Sequence, residues 1–115
     1  HKGASNRVLL AIFAAHEQQR YMDGLSMHGS ARHALEAKLE EIVACGYDFS
    51  EGILTPGRFG LAFPLFDRAG SLVGALSTGG YISELTPQSK QTLVRKFGEV
   101  AEQVNLAMGS FPTMD

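Results

Sequence analysis

The sequence predicts an α+β fold, in which a small antiparallel β-sheet is flanked by α-helices. Apolar residues alternate with small ones on both sides of a turn between residues 58 and 80, as they do in a β-hairpin. Apolar residues at helical spacing mark segments before and after this hairpin. The resulting order of helix, helix, short strand, hairpin and helix is typical of a sheet with helices packed on its faces.

Length and composition predict a single domain over residues 1–115, because a chain of this size can bury about two-thirds of its unfolded surface. The formal net charge of −2 is spread along the chain, so direct binding to nucleic acid is not expected. No apolar stretch approaches the ~20 residues of a membrane span, and a single cysteine without zinc-like spacing predicts neither an internal disulfide nor a metal site. We therefore expect a cytoplasmic protein with no membrane partner and no cofactor.

The first predicted helix follows a run of small residues. Ser5 or Asn6 is expected to cap it, since both side chains can accept a hydrogen bond from a free backbone N–H. Its apolar residues begin at Val8, and the helical pattern reaches Met22 with a break near residues 15–16.

A second helix is predicted between the cap Ser30 and the terminating glycine Gly46. Its apolar face is expected to carry four residues, which are Leu35, Leu39, Ile42 and Val43. After the hairpin, Thr86 at the N-cap and Pro87 at the first helical position predict the start of the last helix.

The hairpin turn is predicted at residues 67–70, which end in a glycine. With Phe66 opposite Ser71, Ala62 would face Ala75 and Gly60 would face Ser77. Side chains alternate across a strand, so one face is bulky, with Phe59, Leu61, Phe63, Leu65, Leu72, Gly74 and Leu76. The other face is hollow, with Gly60, Ala62, Pro64, Val73, Ala75, Ser77 and Gly79. Such a face leaves room for a packed helix or for a small ligand.

Three strands are few for a sheet that needs cover on both faces. Further strands are therefore expected from the same domain or from a neighbouring chain.

Residues 46–87 also resemble a known family. The matching signature consists of Gly46-Tyr47, Gly57-Arg58, Phe66-Asp67, Gly70, Ala75-Leu76-Ser77 and Leu85-Thr86-Pro87. It resembles the effector-binding domain of IclR-type transcriptional regulators, and the opening HKGASNRVLLA resembles the small-residue turn of that domain. The resemblance implies a GAF-like fold, a small-molecule effector, a homodimer or tetramer, and no catalysis. It also implies contact with DNA only through an N-terminal winged helix-turn-helix domain, which these residues do not contain.

The resemblance places the effector contacts at Ala4, Ser5, Ser50, Gly60, Ser77 and Gly79. Among the strand positions only Ser77 keeps a hydroxyl, whereas Ser50, Gly60 and Gly79 replace more polar residues of the family. These replacements predict a roomier and less polar pocket, suited to a larger or more hydrophobic organic acid such as an aromatic acid.

Simpler interpretations of the same residues remain open. Ser5 can be a plain helix cap, Ser77 a small strand residue, and Gly60 and Gly79 points where another backbone approaches closely. Two other functions are also possible, namely a GAF-like association module without a ligand and a small hydrolase. The hydrolase is disfavoured, because no general base is arranged near Ser77 in the sequence.

Overall fold

The structure, a computed structural model, describes residues 3–52 and 55–109. Its elements in chain order are α1 (Ala4–Ile12), α2 (Ala15–Gly24), α3 (Gly29–Cys45), β1 (Asp48–Glu51), β2 (Arg58–Phe66), β3 (Leu72–Tyr81), a short 3₁₀ helix (Ile82–Glu84) and α4 (Pro87–Ala107). The predicted α+β class is confirmed. Every helix in the described ranges is too short or too polar to cross a membrane.

Two predicted helix starts are wrong, and both helices begin earlier than expected. Gly3 precedes α1 with a φ of 86°, and neither Ser5 nor Asn6 is the cap. His28, rather than Ser30, precedes α3. Glycine makes the earlier start of α1 possible, because it adopts positive φ without steric cost.

The start of α4 is confirmed as a complete capping box. The Ser89 N–H donates to Thr86 Oγ1 at 3.0 Å, and the Thr86 N–H donates to Ser89 Oγ at 2.8 Å. Pro87 follows the cap at the first helical position, where its missing N–H would have no partner in any case.

The strands form one antiparallel sheet in the order β1-β2-β3 within the described residues, but the predicted hairpin register is wrong by two residues. Ala62 lies opposite Ser77, and Gly60 lies opposite Gly79. One residue of this shift comes from a tighter turn, in which the Asp67 N–H bonds the Ser71 carbonyl at 2.9 Å. The other comes from a bulge between Leu65 and Phe66. A one-residue shift moves every side chain to the opposite face, and a second shift moves it back. Beyond the bulge, each residue therefore lies on the face that the sequence predicts.

Helix α1 covers part of the hollow face. Val8 is fully buried there, and Ala11 is 4% exposed. Both belong to one core cluster with Ala62 of β2, Leu39 of α3 and the partly buried Ala75 of β3. The small side chains of this half of the face therefore accommodate a packed helix.

The bulky face packs against α4 through aromatic rings. The ring centroid of Phe63 lies 6.1 Å from that of Phe97 on α4 and 5.3 Å from that of Tyr47. Leu61 on the same face is fully buried. The sheet is thus enclosed between α1 with α3 on one side and α4 on the other.

Candidate functional site

The N-terminus of α1 has no side-chain cap. Gly3, at the cap position, has no side chain, and the Arg7 N–H donates to the Gly3 carbonyl at 3.1 Å as in a regular first turn. The amides of Ala4 and Ser5 precede that bond and so have no acceptor within the helix. These N–H groups and the positive end of the helix dipole favour a negatively charged group.

This helix start lies over a row of small residues that crosses the sheet. Ser50 pairs with Gly60, and Gly60 pairs with Gly79. A Cβ placed on Gly60 would lie 3.2 Å from Ser50 Oγ, 3.6 Å from the Ala4 Cβ and 4.0 Å from the Ala4 backbone nitrogen. The absence of a side chain on Gly60 therefore keeps open the space between Ser50 and the first turn of α1.

Ser50 contributes a hydroxyl group to this space. The residue is 7% exposed, and its Oγ has no hydrogen-bond partner among the described residues. The Ser50 hydroxyl is therefore free to bind a group that enters the space above Gly60.

The open space is a cavity of about 230 Å³. Its described lining consists of Gly3, Ala4, Ser5, Asn6, Ser50, Thr55, Arg58, Phe59, Gly60, Leu61, Ser77 and Thr78. Hydroxyl groups are frequent in this lining, Arg58 is its charged residue, and no carboxylate is part of it. The cavity therefore combines polar and apolar surface, with a positive bias that comes from Arg58 and from the end of α1.

The structure brings together five of the six residues proposed from the sequence. Ala4, Ser5, Ser50, Gly60 and Ser77 all line this cavity. Gly79 does not, and a Cβ placed on it would lie 2.7 Å from the Phe59 carbonyl oxygen. The simpler interpretation of Gly79, a close approach of two backbones, is therefore the one that the geometry supports.

Sequence reasoning missed Arg58 as part of the site. Arg58 is two residues from Gly60 on the same strand, and strand alternation places both side chains on one face. Its guanidinium carbon lies 4.6 Å from the centre of the Tyr81 ring, and Tyr81 is its partner in the ladder. The alternation alone could have identified Arg58, which entered the resemblance only as half of the pair Gly57-Arg58.

A buried ion cluster holds α1 against β1 beside the cavity, and it was also missed. Asp48 has a fully buried side chain, and its Oδ2 accepts a hydrogen bond from Arg7 Nε at 2.6 Å. Lys38 Nζ of α3 lies 3.2 Å from Oδ1 as an ion pair, outside hydrogen-bond geometry. Because Arg7 closes the first turn of α1, this cluster fixes the helix start relative to Ser50, two residues along the strand from Asp48.

A larger cavity of about 720 Å³ lies between α4 and the ends of α1 and α3. Val43 lines it and is 61% exposed, so its predicted place in the core is wrong. Asn105 is also part of the lining, but its side chain already bonds the Phe66 N–H and the Pro64 carbonyl. Since this cavity offers few free polar groups to orient a ligand, the smaller cavity is the candidate site.

Comparison with known proteins gives a consistent family assignment. The sequence model of the family described as "Bacterial transcriptional regulator IclR C-terminal" matches residues 1–106. The chain is 36% identical over 84 residues to the HTH-type transcriptional repressor AllR of Klebsiella pneumoniae, which covers 70% of this chain and 30% of that repressor.

Solved structures agree in fold. A Rhodococcus sp. protein assigned to the IclR family superposes with a TM-score of 0.78 at 30% identity, over 93% of this chain and 42% of that one. The C-terminal domain of the Escherichia coli transcriptional regulator KdgR gives a TM-score of 0.80 at 22% identity, over 94% of this chain and 70% of that one. The chain thus spans less than half of the AllR repressor and of the Rhodococcus protein. The family match and the GAF-like α+β fold agree, and the chain belongs to the family of IclR-type bacterial transcriptional regulators as a C-terminal domain.

Proposed function

We propose that this domain binds a small organic acid in the cavity at the start of α1, and that binding alters the DNA affinity of a transcriptional regulator. The observation that carries the proposal is the unpartnered Ser50 hydroxyl beside the uncapped first turn of α1. A carboxylate placed above Gly60 would accept hydrogen bonds from the Ala4 and Ser5 amides and from Ser50. Ser77, across the sheet, would contact the remainder of the acid.

The proposed effector is smaller than the sequence suggests. A volume of about 230 Å³ lies below the ~300–1,000 Å³ of pockets for drug-sized ligands. The frequent hydroxyl groups of the lining favour a polar acid. An aromatic acid, which the loss of polar family residues predicts, remains the second candidate and is included in the test.

Regulation requires that the effector bind one arrangement of the regulator better than another. A tenfold preference for one arrangement corresponds to about 1.4 kcal/mol. In the proposed scheme the arrangement is that of a homodimer or tetramer, and DNA is bound by a winged helix-turn-helix domain outside these residues. The name of the relative AllR, an HTH-type repressor, supports this scheme.

The same geometry weighs against catalysis at this site. The described lining contains several hydroxyls, including that of Ser77, but no histidine, cysteine or carboxylate. A serine nucleophile requires a neighbouring base, so we propose a binding domain and not a hydrolase.

Thermal unfolding with organic acids tests the proposal. Pyruvate and benzoate represent the small polar and the aromatic candidates. An acid at 100 times its Kd is expected to stabilise the fold by about 2.7 kcal/mol, or roughly 10 °C in Tm. We expect pyruvate to raise the Tm more than benzoate at equal concentration. The opposite order would support the aromatic candidate.

Ser77→Phe serves as the blocked variant, because a phenyl ring would fill the cavity from the sheet side. Its response to the acids should disappear while the protein remains folded. Ser83→Phe, an exposed position outside the described lining, is the matched control and should respond like the parent. A response that persisted in Ser77→Phe would show that the acid binds elsewhere. No response to either acid in the parent would favour the association module.

A further inference from the structure

Arg58 is placed to contact the end of a ligand that lies away from α1. It lines the cavity and forms no ion pair with any carboxylate of the described residues. Its guanidinium rests on the face of Tyr81, which is 53% exposed. Exposed side chains change rotamer rapidly, so Arg58 can leave the ring for a ligand with little rearrangement of the protein.

Two groups that favour anions therefore contribute to one cavity from different positions. The Ala4 amide and Ser50 Oγ flank the space above Gly60, whereas Arg58 is two residues further along β2. On the face that carries Arg58, the next pair is Gly60 with Gly79, so no side chain from this pair separates the two positions. Among the described lining residues there is no carboxylate to neutralise either group.

We infer that Arg58 recognises a second carboxylate, and that the effector class is a small dicarboxylate. This inference rests on the proposed function, because it assumes that the first carboxylate binds at the start of α1. A guanidinium offers paired N–H donors that match the two oxygens of a carboxylate. An acid with one carboxylate would leave either this cation or the helix start without its anionic partner.

Succinate and succinamate test the inference as a matched pair, because they differ only by replacement of one carboxylate with an amide. Titration calorimetry at low ionic strength should show about tenfold tighter binding of succinate to the parent chain, the factor that corresponds to about 1.4 kcal/mol. The preference should decrease at high salt, because Arg58 is exposed and its charge is screened.

Arg58→Gln should remove this preference by weakening succinate binding while leaving succinamate affinity within about twofold of the parent value, since the neutral amide gains little from the guanidinium charge. Arg95→Gln is the matched control, because it removes the same charge from an exposed residue of α4 that pairs with Glu99. The control should retain the preference for succinate.

Several outcomes would overturn the inference and leave the proposed function intact. These are equal affinity of the parent for succinate and succinamate, an equal loss of both affinities in Arg58→Gln, and loss of the preference in Arg95→Gln. An equal loss of both affinities in Arg58→Gln would show that Arg58 supports the shape of the cavity and does not recognise the charge of the ligand. If pyruvate, benzoate, succinate and succinamate all failed to bind, both the inference and the proposed function would be wrong.

Discussion

At the scale of single residues, burial decides what an ion pair contributes. Arg7–Asp48 and Arg32–Asp23 have nearly equal distances, 2.6 Å and 2.7 Å. The Asp48 side chain is fully buried, whereas that of Asp23 is 67% exposed. The first pair is shielded from water and salt, and the second is screened by both.

We expect Asp48→Asn to lower the free energy of unfolding by about 3 kcal/mol, because it leaves the largely buried Arg7 guanidinium without its counter-charge. Asp23→Asn removes an equivalent carboxylate at the surface and should cost less than about 1 kcal/mol. Urea unfolding of the two variants measures both values. Equal losses would contradict the assignment of Asp48 as the anchor of α1.

At the scale of elements, one polar side chain joins α4 to the edge of the sheet. Strand β1 pairs with β2 only as far as Ala62, so the later part of β2 has no strand on that side within the described residues. Asn105 of α4 bonds it instead, accepting from the Phe66 N–H at 2.8 Å and donating to the Pro64 carbonyl at 3.3 Å. Helix α4 thereby replaces a strand at this edge.

Asn105→Ala should lower the free energy of unfolding by about 1–3 kcal/mol, because it leaves a partly buried backbone N–H without an acceptor. Gln103→Ala, on the exposed face of the same helix, is the control and should change stability by less than about 0.5 kcal/mol. Chemical denaturation provides the measurement. A neutral effect of Asn105→Ala would indicate that water replaces the side chain at this edge.

At the scale of the whole molecule, the hollow face of the sheet has two uses. Near Ala62 and Ala75 it receives α1, and near Gly60 and Ser77 it borders the cavity. The same helix therefore closes the core with its middle and forms the proposed anion site with its first turn. Any change that lifts α1 from the sheet should affect both.

Ala62→Leu tests this arrangement of layers. Ala62 is fully buried, so three additional carbon atoms would push α1 away and lower the free energy of unfolding by about 1–3 kcal/mol. Ala37→Leu, at an exposed position of α3, should have an effect below about 0.5 kcal/mol. If calorimetric melting showed the two variants to be equally stable, the packing of α1 on Ala62 would be wrong.

The predictions that the structure confirms depend on neighbours in the sequence. The bulky and hollow faces follow from alternation in two consecutive strands, and the start of α4 follows from Thr86 and Pro87. The register of the hairpin was missed, because a bulge is a small local choice that residue types alone do not decide. The cap of α1 was missed because Gly3 can adopt positive φ, whereas Ser5 is only a favourable residue type at that position.

The sequence by itself determined the α+β class and the two unequal faces of the hairpin, including Gly60 and Ser77 of the candidate cavity, because alternation and helical spacing act over a few residues. Only the tertiary structure decided that α1 fills half of the hollow face, that Gly79 lies against a neighbouring backbone, and that Arg58 joins the cavity. It also paired Arg7 with Asp48, which are 41 residues apart. Contacts of this kind depend on how helices dock on the sheet, and docking is set by the packing of the whole core.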